Sequence, residues 1–165
     1  MYTVILGLGS NEGDSVQLFK RAIRDLSGAM NGITCSSYYK TKPRDYENQD
    51  DFFNMVVLGN FSGGPRQLLS IIHLIEARYG RDRKMEIPKG PRTLDIDIEL
   101  FGDVCLHEPD LVIPHPQLRY RQFVLIPLLE ICPECADPET GEFFRDINSR
   151  LPDQGVIKAG ILYGN

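Results

Sequence analysis

Residues 90–103 read GPRTLDIDIELFGD. From Leu94 to Leu100 the pattern alternates without a break: Leu94, Ile96, Ile98 and Leu100 against Asp95, Asp97 and Glu99. A period of two marks a β-strand with one apolar and one polar face. The polar face holds three carboxylates in succession, directly after Arg92 and Thr93. Same-face neighbours on a strand stand about 6.5–7 Å apart, so these charges repel unless something neutralises them. Two readings are open: a solvated face paired with neighbouring lysines, or a cradle for a hard cation. Magnesium takes oxygen ligands, often one or two carboxylates together with substrate phosphates.

The flanking loop has the opposite sign. Residues 81–92, RDRKMEIPKGPR, hold five basic and two acidic residues in a chain of net charge −5. Arg119 and Arg121 add two more guanidiniums downstream. Arginine grips phosphate with a planar fork. Carboxylates beside arginines thus suggest a composite polyphosphate site, whose chemistry needs positioning and charge neutralisation above all.

The rest of the chain predicts an α+β fold. Residues 2–8 read as a buried strand. A helix opens at Asp14 or Ser15 and buries Val16, Phe19, Ile23, Leu26 and Met30. Strands follow at 33–40 and 52–61, separated by a polar loop over 41–51. A second helix starts at Pro65, carries Leu68, Leu69, Ile72, Ile75 and Tyr79, and stops at Gly80. After the carboxylate strand come a short strand at 111–113, a helix over 117–131 interrupted by Pro127, a short helix near 142–150 and a final strand near 155–163. The order β-α-β-β-α-β predicts a ferredoxin-like sandwich: a mostly antiparallel sheet of at least four strands with helices on one face, leaving the other face for a site.

Composition narrows the function. The 165 residues suit a single domain, 1–165, and 42% are hydrophobic. The negative net charge argues against nucleic acid as partner, and no run of apolar residues is long enough to span a bilayer. The N-terminal MYTVILGLGSNEGD lacks a basic leader, so a cytoplasmic location is expected, with a monomer as the default. Four cysteines include one CxxC, Cys132 to Cys135, with no second pair to complete a zinc site. GLGSNEG at 7–13 departs from the dinucleotide fingerprint, and Gly7 and Gly9 read as a tight strand exit. His115, between prolines, either caps a turn or meets a phosphate. Phe52, Asn54 and Phe123 read either as core or as two ring faces and an amide around a flat heterocycle. A metal-dependent nuclease and a non-catalytic binding module are the competing classes.

Taken together, GLGSN (7–11), FFNMVV (52–57), IEARYGRDR (75–83), GPRTLDIDIELFGD (90–103) and IPHPQLRYRQFVLIPLLEI (113–131) resemble the 6-hydroxymethyl-7,8-dihydropterin pyrophosphokinase family. The resemblance implies transfer of the terminal pyrophosphate of ATP to the hydroxymethyl group of the reduced pterin, with release of AMP, in folate biosynthesis. It implies two magnesium ions at Asp95 and Asp97, and catalytic arginines at Arg81 and Arg92. Glu76, Arg83, Ile98, His115 and Arg121 match ATP-side positions. Thr41, Pro43, Arg44, Phe52, Asn54 and Phe123 match the pterin pocket. Glu99 falls outside the implied metal site. Four positions depart from the usual pattern: His73 replaces glutamine, Lys89 an aromatic residue, Val112 a threonine or serine, and Pro116 a tyrosine.

Overall fold

The fold is taken from a computed structural model, which describes residues 1–42, 48–82, 84–85 and 93–163. Strand β1 (Tyr2–Ser10) leads into helix α1 (Ser15–Ser27). Asp14 caps α1: its carboxylate accepts the Gln17 N–H at 3.1 Å. The expected strand at 33–40 is two strands, β2 (Asn31–Cys35) and β3 (Tyr38–Thr41), which follow one another along the same side of β4 (Phe52–Phe61). Ser36 and Ser37 make the break. The Ser36 hydroxyl accepts the Val56 N–H, so a side chain replaces part of the ladder. Helix α2 (Pro65–Arg78) begins on its proline and ends before Gly80, which takes a left-handed φ of 89°. Strand β5 is Asp95–Phe101.

A hairpin of β6 (Leu106–Glu108) and β7 (Leu111–Ile113) follows. The helix expected over 117–131 is divided. A 3-10 turn covers Leu118–Tyr120, Arg121 is extended at φ −114° and ψ 100°, and α3 runs Gln122–Ile131. Pro127 sits inside α3 without ending it. It forfeits one backbone hydrogen bond, while Val124, Leu125 and Leu128 around it are buried. Helix α4 (Phe144–Ser149) and strand β8 (Ile157–Gly160) complete the order.

The main sheet is antiparallel throughout, in the order β5-β1-β4-β3-β8, with β2 also on β4. Helices do not keep to one face, as the strand pattern suggested. One face buries Phe19, Leu26, Leu68 and Ile72 of α1 and α2 against Val4, Leu6, Leu8 and Val57. The other buries Leu125 and Leu128 of α3 and Phe144 of α4 against Ile5, Val56 and Leu100. That second core covers only part of its face, and the carboxylates of β5 occupy the rest.

Leu100 is the other correction. Register shifts between β1 and β5: Leu6 pairs with Ile98, but Ile5 pairs with Leu100. Glu99 is therefore the additional residue of a β-bulge, and Glu99 and Leu100 point to the same side. Ile96 and Ile98 join the first core, Leu100 joins the second, and Phe101 returns to the first. No helix among the described residues is long and apolar enough to cross a membrane.

Candidate active site

Three adjacent strands, edge strand β5 with β1 and β4, supply the floor of a cleft of about 590 Å³. Asp95 and Asp97 of β5 stand opposite Gly9 and Gly7 of β1, and Asn54 of β4 stands opposite Gly9 from the other side. The glycines lie inside the strand, not at its exit. They are small because the site lies across them: a Cβ on Gly7 would fall 2.7 Å from a Glu99 oxygen, and one on Gly9 would fall 3.2 Å from Asn54 Oδ1. The GLG segment thus makes room for the polar side chains of its neighbours.

The strand alternation of β4 sorts its two phenylalanines. Phe53 packs into the first core beside Tyr38, whereas Phe52 and Asn54 line the cleft. Asn54 donates to the Thr41 hydroxyl at 3.3 Å, and both residues are nearly buried. Phe123, on the first turn of α3, enters the same cleft from the other wall. The Arg121 guanidinium lies 5.5 Å from the centre of the Phe123 ring. The structure therefore brings Thr41, Phe52, Asn54, Asp95, Asp97, Arg121 and Phe123 to one cleft. Pro43, Arg44, Arg83 and Arg92 lie outside the described residues, as does Lys89.

Arg81 does not reach openly into the cleft. Its side chain is 6% exposed and pairs with Glu76 and Asp95. Glu76 is itself 1% exposed and accepts the Ile96 N–H at 2.8 Å. This chain of contacts ties the end of α2 to the start of β5. Glu76 also lines a second cavity of about 530 Å³ with His73, Arg81 and Lys84. Ile98 turns its side chain into the first core, on the face away from the carboxylates, leaving only its main chain near the site. Arg119 is diverted elsewhere: it pairs with Asp137 and Glu139.

His115 is set by the bulge. Its main-chain N–H donates to the Glu99 carbonyl at 3.0 Å. Its Nδ1 accepts the Gln117 N–H at 3.2 Å, which leaves the proton on Nε2. Nε2 lies 3.8 Å from Asp97 Oδ2. Burial, and then the charge of Arg121, lowers the imidazole pKa to about 4. At neutral pH it is an uncharged donor aimed at the carboxylates.

The carboxylates are under strain of charge. Burial first, and Asp95 next, holds Asp97 above the usual carboxylate range, while Arg121 opposes the shift. Glu99 is buried and pushed up further by the same causes in the same order, with Asp97 as the repelling neighbour. Its Oε2 has no hydrogen-bond partner among the described residues.

The donor set fits a hard cation on chemical grounds. Asp95 and Asp97 share one strand face, and the penalty that burial and Asp95 place on the charge of Asp97 is lost when a divalent ion joins the pair. No cluster of three or more metal-ligating side chains occurs among the described residues. A magnesium ion held here would take its remaining ligands from substrate and water. Cys132 and Cys135 are free thiols packed against the second core, and neither lines the cleft.

Sequence reasoning missed Gly7, Gly9, Gln117, Tyr120 and Gln154 as lining residues. The glycines carried a signal, since a G-x-G inside a strand marks a close approach by neighbours. Gln154 carried none, because it lies 32 residues from Gln122, the helix residue it touches.

Comparison with known proteins gives consistent results. The sequence profile of the 7,8-dihydro-6-hydroxymethylpterin-pyrophosphokinase family matches residues 5–133. A 2-amino-4-hydroxy-6-hydroxymethyldihydropteridine pyrophosphokinase of Synechocystis sp. is 40% identical over 141 residues, 84% of this chain and 70% of its own. That of Aquifex aeolicus is 39% identical over 138 residues, covering 84% of this chain and 85% of its own. The crystal structure of wild-type Plasmodium falciparum HPPK-DHPS superposes with a TM-score of 0.70 at 17% identity. The match spans 90% of this chain but only 44% of that one, so it speaks for the fold.

Proposed function

Because the chain belongs to the 7,8-dihydro-6-hydroxymethylpterin-pyrophosphokinase family, whose members are diphosphate-transferring enzymes of folate biosynthesis, we propose that ATP and 6-hydroxymethyl-7,8-dihydropterin meet in the cleft over β5. One observation carries the reading: two carboxylates from alternate positions of β5 face the same cleft as an aromatic pair, a buried amide and Arg121.

Phe52 and Phe123 offer ring faces to the flat pterin. Asn54 reads its polar edge, with its amide oriented by Thr41. The pterin hydroxymethyl group then points along β5 toward Asp97. Asp95 and Asp97 would hold magnesium with the nucleotide. When bound there, it would neutralise the polyphosphate and lower the pKa of the attacking hydroxyl. Arg121 and the Nε2–H of His115 donate to phosphate oxygens from the facing side. Neutral histidine suits this task across the physiological range, because it does not compete with the cation for charge.

Arg81 pairs with Asp95 and Glu76; were a cation to take up Asp95, Arg81 would keep Glu76 and could turn its other N–H groups to the polyphosphate. Attack on the β-phosphorus leaves AMP. Among the four departures, His73 lines the second cavity, Val112 lies in β7 and Pro116 directly follows His115. All three are away from the aromatic pair.

The test is product identification with magnesium-ATP and the reduced pterin. AMP formed only when the pterin is present is expected. ADP would mean single-phosphoryl transfer, and no pterin-dependent product would overturn the reading.

A further inference from the structure

Helix α3 has an unusual beginning. Its N-cap, Arg121, makes no side-chain cap, so the first N–H groups need partners from elsewhere. Gln154, from the C-terminal segment, supplies the partner of the first one. The Gln122 N–H donates to Gln154 Oε1 at 3.0 Å, and Gln154 Nε2 donates to the Tyr120 carbonyl at 2.8 Å. In return the Gln154 N–H donates to Gln122 Oε1 at 2.9 Å. A single amide side chain thus holds the peptide group before Arg121 and the peptide group after it. The rotation of those two planes about the Arg121 Cα is what φ and ψ measure, so both angles are fixed together.

The segment that delivers Gln154 is itself shaped for it. Asp153 Oδ1 accepts the Gly155 N–H at 2.8 Å, and Gly155 takes a left-handed φ of 70°. Gln154 then lines the cleft beside Arg121 and Phe123. Residue 154 lies beyond the stretch matched by the family profile, which ends at 133.

We propose that Gln154 is a positioning residue: it clamps the backbone on both sides of Arg121, and so sets where the guanidinium and the Phe123 ring meet substrate. This rests on the functional reading above, in which Arg121 contacts phosphate and Phe123 covers the pterin. Extended backbone between a 3-10 turn and a helix is not a geometry that either neighbour enforces. Without the clamp, the two peptide planes are free to turn about the Arg121 Cα. Arg121 would then rotate away from the carboxylates.

The experiment is a double-mutant cycle with Gln154→Met, Arg121→Ala and the combination. Methionine keeps the bulk of glutamine and removes both polar atoms. Gln154→Met is expected to lower kcat/KM by about tenfold, the size expected from losing one or two hydrogen bonds. In the Arg121→Ala background the same change should cost distinctly less, because only the Phe123 ring is left to position. Amide exchange supplies a readout independent of turnover: Gln122 should lose protection while Leu125 and Leu128 keep theirs. Full kcat/KM in Gln154→Met, or equal costs in both backgrounds, would overturn the proposal. Should the parent form no AMP, the functional reading fails on its own, and the Gln122 exchange rate decides the clamp: an unchanged rate refutes it. If Gln154→Met does not fold, Gln154→Asn, which shortens the reach by one methylene, is expected to give the same loss of Gln122 protection.

Discussion

Asp97 bears a cost that the protein alone does not recover. Burial raises the energy of its charged form, and the neighbouring charge of Asp95 adds to it. Asp97→Asn is therefore expected to keep or raise the melting temperature while cutting turnover by on the order of 1,000-fold. A thermal melt with and without magnesium-ATP checks both parts: ligand should raise the parent's midpoint and leave the variant's nearly unmoved. Glu99 gives the converse case. It is a buried carboxyl with an oxygen that has no partner among the described residues, and nothing in the proposed chemistry uses it. Glu99→Met replaces it with an apolar chain of similar length, and should stabilise by about 1 kcal/mol in urea unfolding. A loss of stability would mean that the second oxygen is satisfied in solution.

Elements were legible where periodicity alone decided them, and less so where a side chain intervened. The stripes of α1 and α2 and the strands β1, β4 and β5 follow directly from the pattern of apolar residues. The split between β2 and β3 depends on the Ser36 hydroxyl, and the break before α3 depends on Gln154, neither of which has a local signature. Helix α3 is tied to the sheet by one carboxylate near its end. Glu130 accepts from the Ser37 N–H at 3.0 Å, the Ser37 hydroxyl at 2.7 Å and the Tyr39 hydroxyl at 2.6 Å. Burial tends to raise its pKa, but these hydrogen bonds prevail and lower it. A lowered carboxylate stabilises the fold above its ordinary range, and that contribution is lost as pH falls through the folded value. Glu130→Gln should therefore cost about 1–2 kcal/mol at pH 7 and little in acid where the folded-state carboxylate is protonated. Urea titrations at the two pH values would show it; an equal gap at both would place the effect in packing instead.

At the scale of the molecule, one sheet serves two cores and a site. Periodicity gave a sandwich with an open face, and missed that α3 and α4 cover half of it, because the second core draws on Leu100, whose side is set by the bulge. The site was legible in its charged and aromatic members, since their types and spacing state a chemistry. The glycines beneath it and the glutamine behind it act through shape and backbone, which composition does not report. Phe144 is fully buried where α4 meets the rest of the second core. Phe144→Ala should cost about 3–5 kcal/mol and lower one cooperative transition, because β1 and β4 belong to both cores. Far-UV circular dichroism and tyrosine fluorescence should fall together; separate midpoints would mean that the cores melt independently. The bulge at Glu99 also acts as a parity change written into β5. Before it, odd-numbered residues face the cleft; after it, even-numbered ones face that side. Deleting Glu99 would restore an unbroken alternation with Asp95, Asp97 and Leu100 on the cleft side and Ile96, Ile98 and Phe101 in the first core. The bulge thus absorbs one additional residue without turning any neighbour over, whereas a slip of the whole strand by one would drive both aspartates into the first core.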